Sequence, residues 1–183
     1  MKKALVILAT GFEEMEGIII IDVLRRAGID VCSASITEGE IIAARKTRHL
    51  ADTTLASVKH IAFDIVILPG GGPGVANLMA DANVKEVIEK QHNSQKLIGA
   101  ICAAPNLLRA YGIISGDDPF TMFPGVVGQC NGGDFKKDEI YVLHNNILTS
   151  RGPGTTFAFA LKIVELLCGK EKMEEVYAPL QLS

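Results

Sequence analysis

Short apolar runs alternate along the chain with longer segments in which apolar residues recur at helical spacing. Continuous apolar runs of this kind are typical of strands buried on both faces of a parallel sheet. The helices between such strands cover the two faces of the sheet. Strands are predicted at residues 3–9, 29–36, 62–68 and 97–101, and helices at 13–27, 75–93 (one or two helices), 106–111, 155–167 and 172–176.

The remaining stretches have a weaker pattern. Residues 41–54 are ambiguous and compatible with a short hairpin, and residues 117–134 are rich in glycine, proline and asparagine, which predicts a loop with short strand pieces. Residues 139–143 and 147–150 are predicted to form a hairpin around an asparagine pair. The whole pattern indicates an α/β fold in a single domain over residues 1–183, with a mainly parallel sheet.

Cys102 follows the apolar run 97–101 directly, and Pro105 opens the next helical segment. The cysteine therefore lies where a buried strand is predicted to turn sharply into a helix, a place where nucleophiles of α/β enzymes occur. A helix N-terminus favours negative charge and lowers the pKa of a thiol. The alternative is that Cys102 is a small buried hydrophobic residue, as most free cysteines are.

Glu16 shares a helical face with Ile20, Val23 and Ala27, so it leads the apolar face of its helix. Such a carboxylate is either partly buried or directed into a pocket; the alternative is an acidic residue that interacts with the helix dipole. If Glu16 meets Cys102, the two groups titrate as a coupled pair. We then expect a thiolate beside a carboxylic acid at neutral pH.

Glycines at 70–72 follow the predicted strand 62–68. A phosphate-binding loop of the Walker type is excluded, because no Gly-Lys-Ser/Thr sequence closes this segment. The backbone N–H groups of these glycines could line an oxyanion hole beside Cys102, since loops after parallel strands meet at one edge of the sheet. A simple tight turn is the alternative explanation.

Composition narrows the possible partners. A net charge of −3 over 183 residues argues against a nucleic-acid partner, and no apolar run approaches the roughly 20 residues of a membrane helix. The cysteines form no CxxC pair, which predicts a reducing, cytoplasmic location, and the histidines show no metal-ligand spacing. The cysteines are Cys32, Cys102, Cys130 and Cys168, and the histidines are His49, His60, His92 and His144.

Several motifs in combination resemble the ThiJ/PfpI superfamily, and the resemblance runs nearly end to end. The motifs are residues 4–9, 11, 13–16, 68–71, 100–103 and 148–155. The resemblance implies a flavodoxin-like three-layer sandwich and a homodimer. It also implies an activity that needs no cofactor and no metal.

The same resemblance implies roles for individual residues. Cys102 corresponds to a nucleophilic, oxidation-prone cysteine and Glu16 to its carboxylic-acid partner, with backbone N–H groups of Gly71 and Ala103 beside the sulfur. A second set is assigned to the pocket or the dimer interface: Arg26, Arg48, Phe123 and Pro153.

The chain also departs from the family at three positions. Phe123 replaces a histidine that one branch carries, and a phenyl ring cannot transfer a proton. Ala103 replaces the histidine that directly follows the cysteine in the protease branch, which argues against a Cys-His protease. Thr53 replaces a second, peripheral cysteine.

The function implied is that of a glutathione-independent glyoxalase or deglycase. Its substrates would be methylglyoxal, related α-oxoaldehydes, or the glycated side chains that these aldehydes form. The alternative is an oxidative-stress sensor with chaperone activity that uses the same oxidisable cysteine. A cysteine protease or amidase is the less favoured third possibility, because no histidine is placed for it.

Overall fold

A computed structural model describes residues 1–182. Seven strands form the main sheet, and two pairs of very short strands lie outside it. The strands are β1 (Lys3–Leu8), β2 (Asp30–Ser35), β3 (Ile41–Ile42), β4 (Arg48–His49), β5 (Thr53–Thr54), β6 (Ile65–Leu68), β7 (Leu97–Ile101), β8 (Pro119–Phe120), β9 (Asp134–Phe135), β10 (Tyr141–His144) and β11 (Ile147–Ser150). The helices are α1 (Glu14–Arg26), α2 (Leu55–Val58), α3 (Gly72–Ala80), α4 (Ala82–Asn93), α5 (Pro105–Ala110), α6 (Thr156–Cys168) and α7 (Lys170–Leu180).

The main sheet has the strand order β10-β11-β7-β6-β1-β2-β5. All pairings in it are parallel except that of β10 with β11, which form the predicted hairpin at one edge. The predicted α/β class with a mainly parallel sheet is confirmed. Strands β1, β6 and β7 lie at the centre of the sheet and are parallel. The loops that follow their carboxyl ends therefore lie together at the same end of the strands.

Helices pack on both faces of this sheet and bury a hydrophobic core on each. Strand β1 shows why: Leu5 and Ile7 point into one core, while Val6 and Leu8 point into the other. The first core lies under α3, α4 and α5, and the second under α1 and α6. Together these layers form the flavodoxin-like sandwich, and they hold the central loops in place.

The structure adds detail where the sequence pattern was weak. The helical stretch 75–93 is divided at Asp81, whose carboxylate accepts hydrogen bonds from the N–H groups of Asn83 and Val84 and so begins α4. Residues 41–54 contain the hairpin β3–β4 and the edge strand β5, but the short helix α2 after them was not predicted. Helix α7 extends beyond the predicted 172–176 at both ends, and Pro179 lies within it.

In residues 1–182, no helix has both the length and the apolar composition needed to cross a membrane.

Candidate active site

Cys102 occupies a strained turn between β7 and α5. Its backbone φ is +63°, which is uncommon for any residue other than glycine. The Cys102 N–H donates to the carbonyl of Ser150 (3.0 Å), and the Cys102 carbonyl accepts from the N–H of Phe123 (2.9 Å). These two bonds hold the turn, and strain of this kind is concentrated at functional sites.

Glu16 lies in the first turn of α1 and is completely buried. Its Oε2 accepts a hydrogen bond from the backbone N–H of Gly70 (2.7 Å). Its Oε1 is also buried and has no hydrogen-bond partner among residues 1–182. A buried carboxylate with one unsatisfied oxygen is unfavourable when ionised, so this site favours a proton on Glu16.

Gly70 separates the cysteine from the glutamate, and its lack of a side chain permits their approach. A Cβ atom at Gly70 would lie 2.4 Å from Cys102 Cβ and 2.8 Å from Glu16 Oε2. The next residue, Gly71, has a φ of +89°, and a Cβ there would lie 2.3 Å from the carbonyl oxygen of Gly11. The glycine run after β6 therefore brings its backbone close to both polar groups, which is more than a tight turn requires.

Burial raises the pKa of Glu16 to about 7, although the hydrogen bond from Gly70 and the nearby Cys102 thiol oppose the shift. Burial, and then the charge of Glu16, raise the pKa of Cys102 to about 12, although backbone N–H groups of Gly71 and Ala103 oppose it. These shifts oppose ionisation of the thiol in the resting site, and the thiolate beside a carboxylic acid stays a prediction.

The raised pKa of Glu16 predicts a pH-dependent stability. The carboxylic acid favours the folded state, so this contribution is complete below pH 4.5 and is lost as the pH rises through 7. Its upper limit is about 3 kcal/mol, since each pKa unit corresponds to about 1.4 kcal/mol. We expect wild type to lose stability between pH 5 and 8 in urea unfolding, and a Glu16→Gln variant to lose much less. An equal loss in both proteins would contradict the assignment.

An open cleft of about 300 Å³ lies next to the site, on the side of Gly152. A Cβ atom at Gly152 would lie 3.8 Å from the Phe123 ring, 3.9 Å from Cys102 Sγ and 4.0 Å from Glu16 Oε1, so Gly152 connects the cleft with the thiol and the carboxyl group behind it. The cleft is lined by Phe123, Pro124, Arg151, Gly152, Pro153, Gly154 and Thr155. Phe123 and Pro153 thus line this cleft, and their role at a pocket or dimer interface stays a prediction.

Arg26 and Arg48 do not reach this cleft within one chain. Arg26 is at the other end of α1 from Glu16, roughly 15 Å away at the helical rise, where it pairs with Asp22 (2.7 Å). Arg48 is in β4 and pairs with Glu40 (2.7 Å). Their expected place in the pocket is not found, and a role at an interface between two copies stays a prediction.

The steric roles of two glycines at the site, Gly70 and Gly152, were not predicted from the sequence. Both lie in motifs with several glycines, and the sequence does not distinguish them from the neighbouring glycines. Only their distances to Cys102 and Glu16 do so. Histidine is absent from the residues that line the cleft. In the described part of the chain, no group of three or more His, Cys, Asp or Glu side chains could hold a metal ion.

A protein-family model, related sequences and a solved structure all match this chain over most of its length. The model of the DJ-1/PfpI family matches residues 2–166. The chain is 47% identical to Protein dj-1beta of Drosophila melanogaster, over 96% of this chain and 94% of the relative, and 40% identical to the Glutathione-independent glyoxalase DJR-1.2 of Caenorhabditis elegans, over 100% and 97%. The crystal structure of Drosophila melanogaster DJ-1beta superposes with a TM-score of 0.95 at 44% identity, covering 100% of this chain and 98% of that one.

Proposed function

Because this chain belongs to the DJ-1/PfpI family, we propose that it is a cysteine-dependent glyoxalase that converts small α-oxoaldehydes into 2-hydroxy acids without glutathione. The observation that carries the proposal is the placement of a buried carboxyl group, with a pKa of about 7, beside a thiol at the edge of a cleft. A group that titrates near neutral pH can both accept and return a proton. The name of the C. elegans relative supports the same reaction class.

The first proposed step forms a hemithioacetal. The Glu16 carboxylate takes the proton from the Cys102 thiol as the sulfur attacks the aldehyde carbon, so no thiolate has to accumulate beforehand. The C–S bond forms while the carbonyl electron pair moves to oxygen. The N–H groups of Gly71 and Ala103 stabilise this oxyanion before it takes the proton from Glu16.

The second step moves a hydrogen from C1 to C2 of the substrate. The Glu16 carboxylate removes the C1 hydrogen as a proton, which leaves an enediolate. The proton then returns to C2, while the hydroxyl proton moves from the C1 oxygen to the C2 oxygen. C1 is oxidised to a thioester while C2 is reduced to an alcohol, so electrons balance without an external oxidant. Water then cleaves the thioester, which releases the 2-hydroxy acid and regenerates the thiol.

Early glycation adducts fit the same scheme, because they contain the aldehyde carbon bound to an amine or thiol. We propose deglycase activity as a second use of the site, in which the side chain is released before the thioester is cleaved. Proton NMR of lactate formed from methylglyoxal, without glutathione, tests the main reaction. A rate equal to that in buffer alone would contradict the proposed glyoxalase.

A redox sensor with chaperone activity is a second candidate. Cys102 is half-buried rather than inaccessible, and the acid form of Glu16 could donate from Oε1, which has no partner, to a sulfinate formed by two equivalents of peroxide. Intact-mass spectrometry after mild peroxide tests this candidate: no oxygen gained at Cys102 would exclude it. All four cysteines are free, which suits the cytoplasmic location that we also propose.

We further propose a homodimer that uses the exposed side of α1. Met15 and Ile18, one helical turn apart, are 54% and 43% exposed although both are large and apolar. Light scattering at micromolar concentration is expected to give twice the chain mass for wild type and a lower mass for Ile18→Asp. Ile61→Asp is the matched control, since Ile61 is 38% exposed and lies outside α1. A monomeric wild type would contradict the dimer.

A further inference from the structure

Phe123 is the largest apolar group at the cleft, and 47% of it is exposed. Its ring, Cys102 Sγ and Glu16 Oε1 all lie within 4.0 Å of the position that a Cβ at Gly152 would take. A substrate carbon bound to the sulfur would therefore have the phenyl ring as its neighbour. An apolar group of the substrate that covers the exposed ring would remove apolar surface from water, which favours binding.

The surroundings of Phe123 keep its ring in this position. The Phe123 N–H donates to the Cys102 carbonyl (2.9 Å), which fixes the backbone of the phenylalanine to the turn that carries the nucleophile. A Cβ at Gly125 would lie 2.7 Å from the ring, so the ring packs directly on that glycine. Gly125 thereby leaves room for the ring beside the cleft.

The rest of the cleft is also mainly apolar. Pro124 and Pro153 add apolar surface, and Arg151 is the only charged residue in the lining. A guanidinium group is compatible with an aromatic ligand, because it stacks on aromatic faces. The volume of about 300 Å³ is more than a methyl substituent fills.

From these observations we infer that Phe123 is a specificity-determining residue, which makes the site prefer α-oxoaldehydes with an aryl or bulky apolar substituent over methylglyoxal. This inference rests on the proposed glyoxalase reaction and changes none of its steps. The substituent on the ketone carbon packs against Phe123 and Pro153, while the aldehyde carbon meets Cys102.

The test compares phenylglyoxal with methylglyoxal as substrates, with kcat/KM measured for each. In wild type we expect the ratio to favour phenylglyoxal by at least about tenfold, the size of effect that one small apolar contact in a pocket produces. In Phe123→Ala, which retains the backbone N–H, the ratio should fall by about tenfold. Gly125→Ala, which forces the ring to move, should change the ratio as well, whereas Tyr177→Ala, on α7, should leave it unchanged.

Turnover of both aldehydes with a ratio that Phe123→Ala does not change would overturn the inference and leave the glyoxalase intact. A second measurement covers the case in which neither aldehyde is turned over. Mandelate and lactate, the two products, are compared for protection of Cys102 against iodoacetamide. Stronger protection by mandelate that is lost in Phe123→Ala supports the apolar subsite without turnover, and equal protection by both acids overturns it.

Discussion

A Cys102→Ser variant should lose lactate formation from methylglyoxal by roughly a thousandfold or more, the scale on which removal of a covalent nucleophile acts. A serine hydroxyl is far more basic than a thiol once ionised, and a carboxylate with a pKa of about 7 cannot deprotonate it to a useful extent. The variant should still fold, because oxygen is smaller than sulfur and the hydrogen bonds of the Cys102 backbone do not involve the side chain.

Cys130→Ser is the matched control for this prediction. Cys130 is also half-buried, and its thiol donates to the carbonyl of Asn106 rather than facing the cleft. We expect this variant to form lactate at the wild-type rate, as measured by proton NMR on samples matched for melting temperature. Wild-type activity in Cys102→Ser would show that the reaction does not depend on Cys102 as a nucleophile, and equal loss in Cys130→Ser would show that the effect is not specific to Cys102.

The site combines two features that cost stability. Cys102 adopts a positive φ that a β-carbon makes unfavourable, and Glu16 carries a carboxyl group into the interior with one oxygen unsatisfied. Neither feature improves the packing of the surrounding core. Unfavourable positions of this kind persist where function needs them. At pH 8 the buried carboxylate of Glu16 is ionised, so Glu16→Gln should be more stable than wild type yet less active.

Sequence patterns were sufficient for the sheet because the central strands are unambiguous. Residues 3–9, 62–68 and 97–101 are continuous apolar runs, and β1, β6 and β7 occur within them. Helix α2 was not predicted, because four residues are too few to show a helical period. The division at Asp81 depends on a side-chain cap, which a long amphipathic stretch conceals.

The family resemblance paired Glu16 with Cys102, whereas the residue pattern alone left open whether the two groups meet. The sequence places both residues close to the carboxyl ends of predicted strands. Helical periodicity left two alternatives for Glu16, a carboxylate buried or directed into a pocket and an acidic residue that interacts with the helix dipole. The degree of desolvation depends on how completely Gly70, Gly71 and Gly152 close the surrounding space, and no sequence pattern measures that. For the same reason the raised pKa of the thiol could be found only from the structure.

A Gly70→Ala variant should be strongly impaired, although it adds a single methyl group. The new Cβ would lie 2.4 Å from Cys102 Cβ and 2.8 Å from Glu16 Oε2, and both neighbours are held by the backbone hydrogen bonds described above. The methyl group must therefore separate the thiol from the carboxyl group. A displacement of about 1 Å can lower the rate roughly a hundredfold, and overpacking costs about 1–3 kcal/mol of stability.

Gly72→Ala, two residues further along, isolates this steric effect from the general consequences of replacing a glycine. A Cβ at Gly72 meets no atom within 4 Å, and neither Gly70 nor Gly72 has a positive φ, so backbone strain contributes at neither position. We expect Gly72→Ala to match wild type in lactate formation and in urea unfolding, while Gly70→Ala fails in both measurements. Equal behaviour of the two variants would mean that the close contact of Cys102 and Glu16 across Gly70 is not needed, and the proton transfer assigned to that pair would have to be abandoned.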